Sequence, residues 1–163
     1  MSADASNLRA IGRIEAVMII REMTEEDLPK VYAIERETFS EPWREEDFKK
    51  AINDPANHYL VAQVDEEVVG YCGYWGIAGE GDIFNVAVRR ENRGSKIGYR
   101  MMSVLIQDAV SRGITSLTLE VRSSNEAAIR LYQALGFRQE GIRRGFYSKP
   151  KEDAVIMWLK LIQ

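Results

Sequence analysis

Two apolar periods alternate along the chain. A short apolar run into Arg21-Glu22, Met18 to Glu22, is read as the first strand. Period 3.6 follows: Leu28, Val31, Tyr32, Glu35 and Phe39 fall on one side of a helix. Thr24 is its expected N-cap, with Glu25, Glu26 and Asp27 in the first turn, where the helix dipole favours acid. Pro42 in F-S-E-P-W breaks that helix, and Trp43 to Asn53 carries a second one through Phe48 and Ile52. His58–Val64 and Val68–Ile77, separated by Asp65-Glu66-Glu67, predict a hairpin. Asp82–Val88 predicts the next strand. Ile97, Met101, Val104, Leu105 and Ala109 then mark a long helix closed by Gly113. Leu117, Leu119 and Val121 alternate with Thr118, Glu120 and Arg122 in a further strand. Ser123-x-x-Glu126 reads as a capping box for a helix bearing Ala128, Leu131, Tyr132 and Leu135. Phe137–Arg143 and Ala154–Lys160 are the last strands, with Ser148 to Asp153 expected as a polar loop.

The predicted order is β-α-α-β-β-β-α-β-α-β-β. It describes an α/β (α+β) domain over residues 18–163, with a mixed, mostly antiparallel seven-stranded sheet and helices on both faces. Residues 1–17 carry small polar residues and then scattered apolar ones, and a poorly ordered lead-in is expected there.

Composition narrows the functional classes. The 163 residues are 45% hydrophobic and 29% charged, as in an ordinary globular domain, and the net charge of -3 gives no bulk field for nucleic acid. No apolar run has the length of a membrane span. The single Cys72 excludes an internal disulfide and fits a reducing, cytoplasmic setting; it is read as a small buried hydrophobe. With one cysteine and one histidine, His58, no metal site is expected.

Against this acidic background one cluster is basic. The strand Val86-Ala87-Val88 runs into Arg93-Gly94-Ser95-Lys96-Ile97-Gly98-Tyr99 and then into the long helix. Strand, basic turn and helix N-terminus suit a phosphate, because the first helical N–H groups have no internal partner and carry the positive end of the dipole. The turn is neither a G-x-G-x-x-G fingerprint nor a P-loop.

In sequence, F-S-E-P-W, N-V-A-V, R-G-S-K-I-G, T-L-E-V-R-S-S-N-E-A-A-I-R-L-Y-Q-A-L-G-F and G-I-R-R-G-F-Y resemble the GCN5-related N-acetyltransferase (GNAT) superfamily, and within it the RimI-type ribosomal-protein-alanine N-acetyltransferases. The resemblance runs from Met18 to Ile162. It implies the GNAT acyl-CoA N-acyltransferase fold and acetyl-CoA as cosubstrate. The pyrophosphate would lie on Arg93, Gly94, Ser95, Lys96, Ile97, Gly98 and Tyr99, and the pantetheine arm beside Val86, Ala87 and Val88. Asn125 matches a cofactor-contacting asparagine. One position departs from the pattern: Lys96 stands where the family has glycine. Lysine there either strains the backbone and crowds the phosphates or adds a charge-assisted contact. Retained but weakened binding is expected.

The resemblance also assigns the chemistry. Glu120 is expected as the base that takes the amine proton, and Tyr132 as the donor of a proton to the departing thiolate; both types suit those tasks. Without the resemblance, Glu120 reads as an exposed or arginine-paired strand residue and Tyr132 as a core aromatic. Trp43, Phe146 and Tyr147 are expected to line the acceptor cleft, with Glu45 and Tyr74 as weaker candidates that also read as packing or surface. The activity implied is transfer of acetyl to the α-amino group of a protein or peptide, the N-terminal alanine of a small-subunit ribosomal protein. Two rivals stay open on the sequence: an acetyltransferase for a small amine or lysine side chain, and a non-catalytic module that binds acetyl-CoA.

Overall fold

The computed structural model describes residues 17–161. The lead-in expected over residues 1–17 therefore lies outside the described residues, apart from Val17. Seven strands are present: β1 (Met18–Glu22), β2 (Asn57–Val64), β3 (Glu67–Ile77), β4 (Glu80–Val88), β5 (Ser116–Arg122), β6 (Arg138–Ser148) and β7 (Lys151–Lys160). Among the described residues, four α-helices join them: α1 (Leu28–Thr38), α2 (Glu45–Ile52), α3 (Ile97–Ser111) and α4 (Glu126–Ala134). The sheet order is β1-β2-β3-β4-β5-β7-β6. Every neighbouring pair is antiparallel except β4 and β5, which the α3 crossover makes parallel.

The helices divide between the two faces. Met101, Met102, Leu105 and Ala109 of α3 and Tyr132 of α4 pack with Leu117, Leu119, Val121, Val155 and Met157. On the other face, Leu28, Val31 and Ile34 of α1 and Phe48 and Ala51 of α2 pack on Tyr59, Val61, Val68, Tyr71 and Ala87. Each fully buried large side chain contributes roughly 1.5–3 kcal/mol. The second cluster draws on β2, β3 and β4 but on none of β5, β6 or β7. The polar residues of β5 on that side, Thr118, Glu120 and Arg122, are accordingly half-exposed, while Leu117, Leu119 and Val121 are buried. Cys72 is fully buried in the α3 cluster, as its apolar surroundings predict, and burial pushes its thiol pKa up.

Two predicted boundaries are corrected. The stretch from Ser148 to Asp153 is not a loop: β6 runs to Ser148, β7 starts at Lys151, and Tyr147 pairs with Glu152. Its polarity misleads because these strand ends are held by side chains of other segments rather than by a core. The capping box is also displaced. Asn125, not Ser123, caps α4 by accepting from Ala128 N–H at 3.2 Å, while Ser123 donates its hydroxyl to Glu152.

The pairing of β4 with β5 positions the site. Their ladder runs only from Glu80↔Ser116 to Ile83↔Leu119, yet β4 continues to Val88 and β5 to Arg122. Past Ile83 the strands part, while the other edge of β4 stays paired: Val86 with Cys72, Ala87 with Tyr71, Val88 with Gly70.

Candidate active site

The first half of the site is made of backbone. Val86, Ala87 and Val88 bury or half-bury their side chains in the two cores, so what they offer toward the gap is N–H and C=O groups. Arg93 secures the end of this strand: Nε donates to Val88 O at 2.9 Å, and Nη2 donates to Thr38 Oγ1 at 3.3 Å. The Ser95 hydroxyl donates to Asn92 O at 2.5 Å. Gly94 and Lys96 both lie in the left-handed region, at φ +83° and +66°, and Lys96 is the N-cap of α3. Glycine adopts that conformation freely, whereas a lysine there is strained by about 1–2 kcal/mol. The first bond inside α3 is Arg100 N–H to Lys96 O, which leaves the N–H groups of Ile97, Gly98 and Tyr99 at the open helix end.

The other helix starts differ. Acidic residues fill the first turn of α2 (Glu45, Glu46, Asp47) and the 3-10 turn before α1 (Glu25, Glu26, Asp27), whereas α3 has none in its first turn. Its positive end is left for an outside anion, with the charges of Arg93, Lys96 and Arg100 around it. A pyrophosphate at the helix start and an amide-bearing arm along the unpaired edge of β4 both fit this geometry.

The second half of the site is made of side chains. Glu120 leaves β5 just past the point where the strands part, and its carboxylate lies 3.6 Å from Arg143 Nε. Tyr132 is 7% exposed, with its ring 5.8 Å from Phe137. Burial raises its pKa, so it keeps its proton at neutral pH. Its hydroxyl makes no hydrogen bond among the described residues, and none of their buried polar side-chain atoms is left unsatisfied. The phenol oxygen is therefore at an accessible surface although its ring is in the core.

Trp43 precedes α2 and packs half-buried against Phe48 and Tyr59, with centroids 5.1 and 6.4 Å away. Phe146 is 47% exposed and meets Tyr147 edge-on at 5.0 Å. Tyr147 lies under the Arg122 guanidinium at 4.4 Å. Burial first, then the nearby Glu120 charge, push the Tyr147 pKa up to about 12. The two weaker candidates separate from this group. Tyr74 is fully buried and donates to Asp108 Oδ2 at 3.1 Å, and Glu45 is the exposed first residue of α2.

Two features escaped the sequence reading. Arg122 ties the segment between α1 and α2 to the β6–β7 turn, donating to Ser40 Oγ at 3.3 Å, Lys149 O at 3.1 Å, Pro150 O at 3.0 Å and Glu152 Oε1 at 3.1 Å. A second link joins the Ser148 hydroxyl to the Glu41 carboxylate. The other feature is a buried polar chain. Glu35, 2% exposed, accepts from Trp43 N–H at 2.9 Å, from the Tyr71 hydroxyl, and from Asn85 Nδ2 at 3.4 Å; Asn85 Oδ1 in turn accepts from the Tyr59 hydroxyl at 3.0 Å. The signal for it was available: Glu35 stands on the apolar stripe of α1, where a carboxylate requires partners.

The family model described as Acetyltransferase (GNAT) family matches residues 28–137. A Bacillus subtilis protein, provisionally named a ribosomal protein bS18-alanine N-acetyltransferase, is 36% identical over 87% of this chain and 95% of its own. The Escherichia coli ribosomal protein bS18-alanine N-acetyltransferase is 34% identical over 83% of this chain and 92% of its own. The crystal structure of the Escherichia coli ribosomal-protein-S18-alanine N-acetyltransferase superposes with a TM-score of 0.84 at 31% identity, covering 90% of this chain and 96% of that one. This chain belongs to the GNAT acetyltransferase family. It is an N-acetyltransferase, and acetyl-CoA is its acetyl donor. No helix among the described residues is long and apolar enough to cross a membrane.

Proposed function

We propose that this chain acetylates the α-amino group of an N-terminal alanine, and that its acceptor is a small-subunit ribosomal protein in the cytoplasm. The observation that carries the reading is identity of 34–36%, across 83–87% of the chain, with relatives named for that reaction.

The residues support direct transfer with donor and acceptor bound together. The backbone of Val86, Ala87 and Val88 would hold the amide-bearing arm, and the turn from Arg93 to Tyr99 the pyrophosphate. Lys96 adds charge at a strained position, which is consistent with retained but weakened binding. Asn125 uses its carbonyl oxygen to cap α4, so its part toward the cofactor falls to the free Nδ2. Trp43, Phe146 and Tyr147 would flank the acceptor.

When bound, acetyl-CoA supplies a thioester carbonyl whose C–S bond breaks as the C–N bond to the amine forms. An α-amino group has a pKa of roughly 8 and is mostly protonated near neutral pH. Glu120 takes that proton, directly or through one water, and Arg143 lies beside its carboxylate at 3.6 Å. Tyr132 holds a proton at its accessible hydroxyl for the sulfur, because burial of its ring prevents ionisation.

The test is turnover of peptides that begin with alanine and carry either a free or a blocked N-terminus. Acetyl is expected only on the free α-amine. Activity confined to polyamines or to lysine side chains would overturn the acceptor assignment, and acetyl-CoA binding with no CoA release on any amine would overturn the transfer itself.

A further inference from the structure

We propose that Glu35 is a positioning residue for the acceptor: from beneath the sheet-facing side of α1 it holds Trp43, and with it the segment from Phe39 to Arg44, in the conformation that receives the peptide N-terminus. The proposal rests on the reading that the acceptor is a peptide.

The geometry is specific. Helix α1 ends at Thr38 and α2 begins at Glu45, so the intervening segment has no secondary structure of its own. Outer contacts reach it from Arg122 to Ser40 and from Ser148 to Glu41, all at solvent-accessible positions. The inner contact is of another kind. The Trp43 N–H is held at 2.9 Å by a carboxylate that is itself 2% exposed, so water does not compete for it. That carboxylate is fixed in turn by donors from two strands: the Tyr71 hydroxyl on β3 and Asn85 Nδ2 on β4. Three donors converge on the two carboxylate oxygens of Glu35; burial raises its pKa, and these hydrogen bonds act against that rise. A plain packing role would be served by an apolar residue, as at Val31 and Ile34 on the same stripe.

The network also reaches the donor half. Asn85 directly precedes Val86, the first residue of the β4 edge proposed to carry the amide arm. One buried carboxylate thus references the acceptor segment to the donor strand, setting the separation of the two substrates.

The experiment uses the full chain and an alanine-starting peptide. Glu35→Gln keeps the volume but places an amide N–H₂ against donors. It is expected to raise the peptide KM about tenfold or more, leaving kcat at saturating peptide and the KM for acetyl-CoA within about twofold. Tyr59→Phe is the control: it removes a buried hydroxyl from the same network without touching the Glu35–Trp43 bond, and its peptide KM should not move. Equal shifts in both variants, or an unchanged peptide KM in Glu35→Gln, would overturn the proposal. If Glu35→Gln fails to fold, the pair Glu35→Leu with Tyr71→Phe replaces both polar partners by apolar ones and must show the same KM split. An acceptor-independent readout is acrylamide quenching of Trp43 in a Trp75→Phe, Trp158→Phe background. Greater quenching in Glu35→Gln supports the proposal, and unchanged quenching opposes it. A parent chain that turns over no peptide would remove the acceptor reading, while the quenching result would still decide whether Glu35 holds the segment.

Discussion

The proposed donor half and the proposed acceptor half of this site are built from different materials. The donor half consists of main-chain groups: a strand edge freed past Ile83 and a helix start without acid in its first turn. Apart from Asn125, its residues lie within one stretch of chain, from Val86 to Arg100. The acceptor half is assembled from side chains far apart in sequence, joined by contacts such as Arg122 to Ser40 and Glu35 to Asn85. A backbone cradle suits a ligand common to a whole family, since many side chains preserve it. A side-chain cleft can be altered one contact at a time.

The largest effect that separates the halves should come from Glu120→Gln. It is expected to lower kcat/KM by about 10³-fold, with the loss greatest below pH of about 8, where the amine carries its proton. Calorimetric binding of acetyl-CoA should be nearly unchanged. A loss that is the same at every pH would remove Glu120 as the base. Tyr132→Phe comes next, with kcat lower by on the order of 10²-fold and little change in Tm, because the hydroxyl has no hydrogen-bond partner among the described residues. A large drop in Tm with a modest change in kcat would return Tyr132 to the core.

The donor half should respond to Lys96→Gly by relaxing. Relief of the left-handed strain is worth about 1 kcal/mol, or about 2–4 °C in Tm for a chain of this length. Lys96→Ala keeps the strain and removes only the charge. If the charge assists the pyrophosphate, both variants weaken acetyl-CoA binding; if the backbone conformation limits it, only the glycine variant tightens it.

The smallest effect belongs to the tie between β5 and the β6–β7 turn. Hydrogen bonds from Ser124, then from Arg122 and Ser123, hold the Glu152 carboxyl at about 2, below the ordinary 4.5. A depressed carboxyl stabilises the fold fully above its unfolded pKa and does so less as pH falls through the folded one. The contribution of Glu152 is therefore present above about pH 4.5 and lost toward pH 2. Replacing it with glutamine should flatten the dependence of Tm on pH across that window and nowhere else. A parallel offset of the whole curve would mean that the carboxyl does not titrate with the tie.

The two halves were also unequally legible before the fold was known. The order of elements along the chain follows from the periodicities, since alternation at Leu117–Val121 and the helical stripe from Ile97 to Ala109 leave little choice of element; the sheet order came only with the fold. The donor turn was readable because its parts are consecutive and its residue types have a local meaning. The anomaly at Lys96 was visible only through the family resemblance, as a lysine where the family has glycine; the structure supplies the φ of +66°. The capping of α4 was misread because Ser123 and Asn125 are both competent caps, and only the pull of Glu152 on Ser123 separates them.

What the sequence determined by itself, then, is whatever depends on near neighbours: strand and helix identity, which faces are apolar, and a helix start suited to an anion. Tertiary structure alone decided what depends on distant partners. It set Glu35 among Trp43, Tyr71 and Asn85, drew Arg122 to Ser40 and to the β6–β7 turn, and ended the β4–β5 ladder at Ile83 and Leu119. The physical reason is range. Local hydrogen-bonding and burial preferences act over one or two turns of chain, whereas a buried charge or a parted strand pair is specified only when segments tens of residues apart meet and each remaining polar group finds a partner.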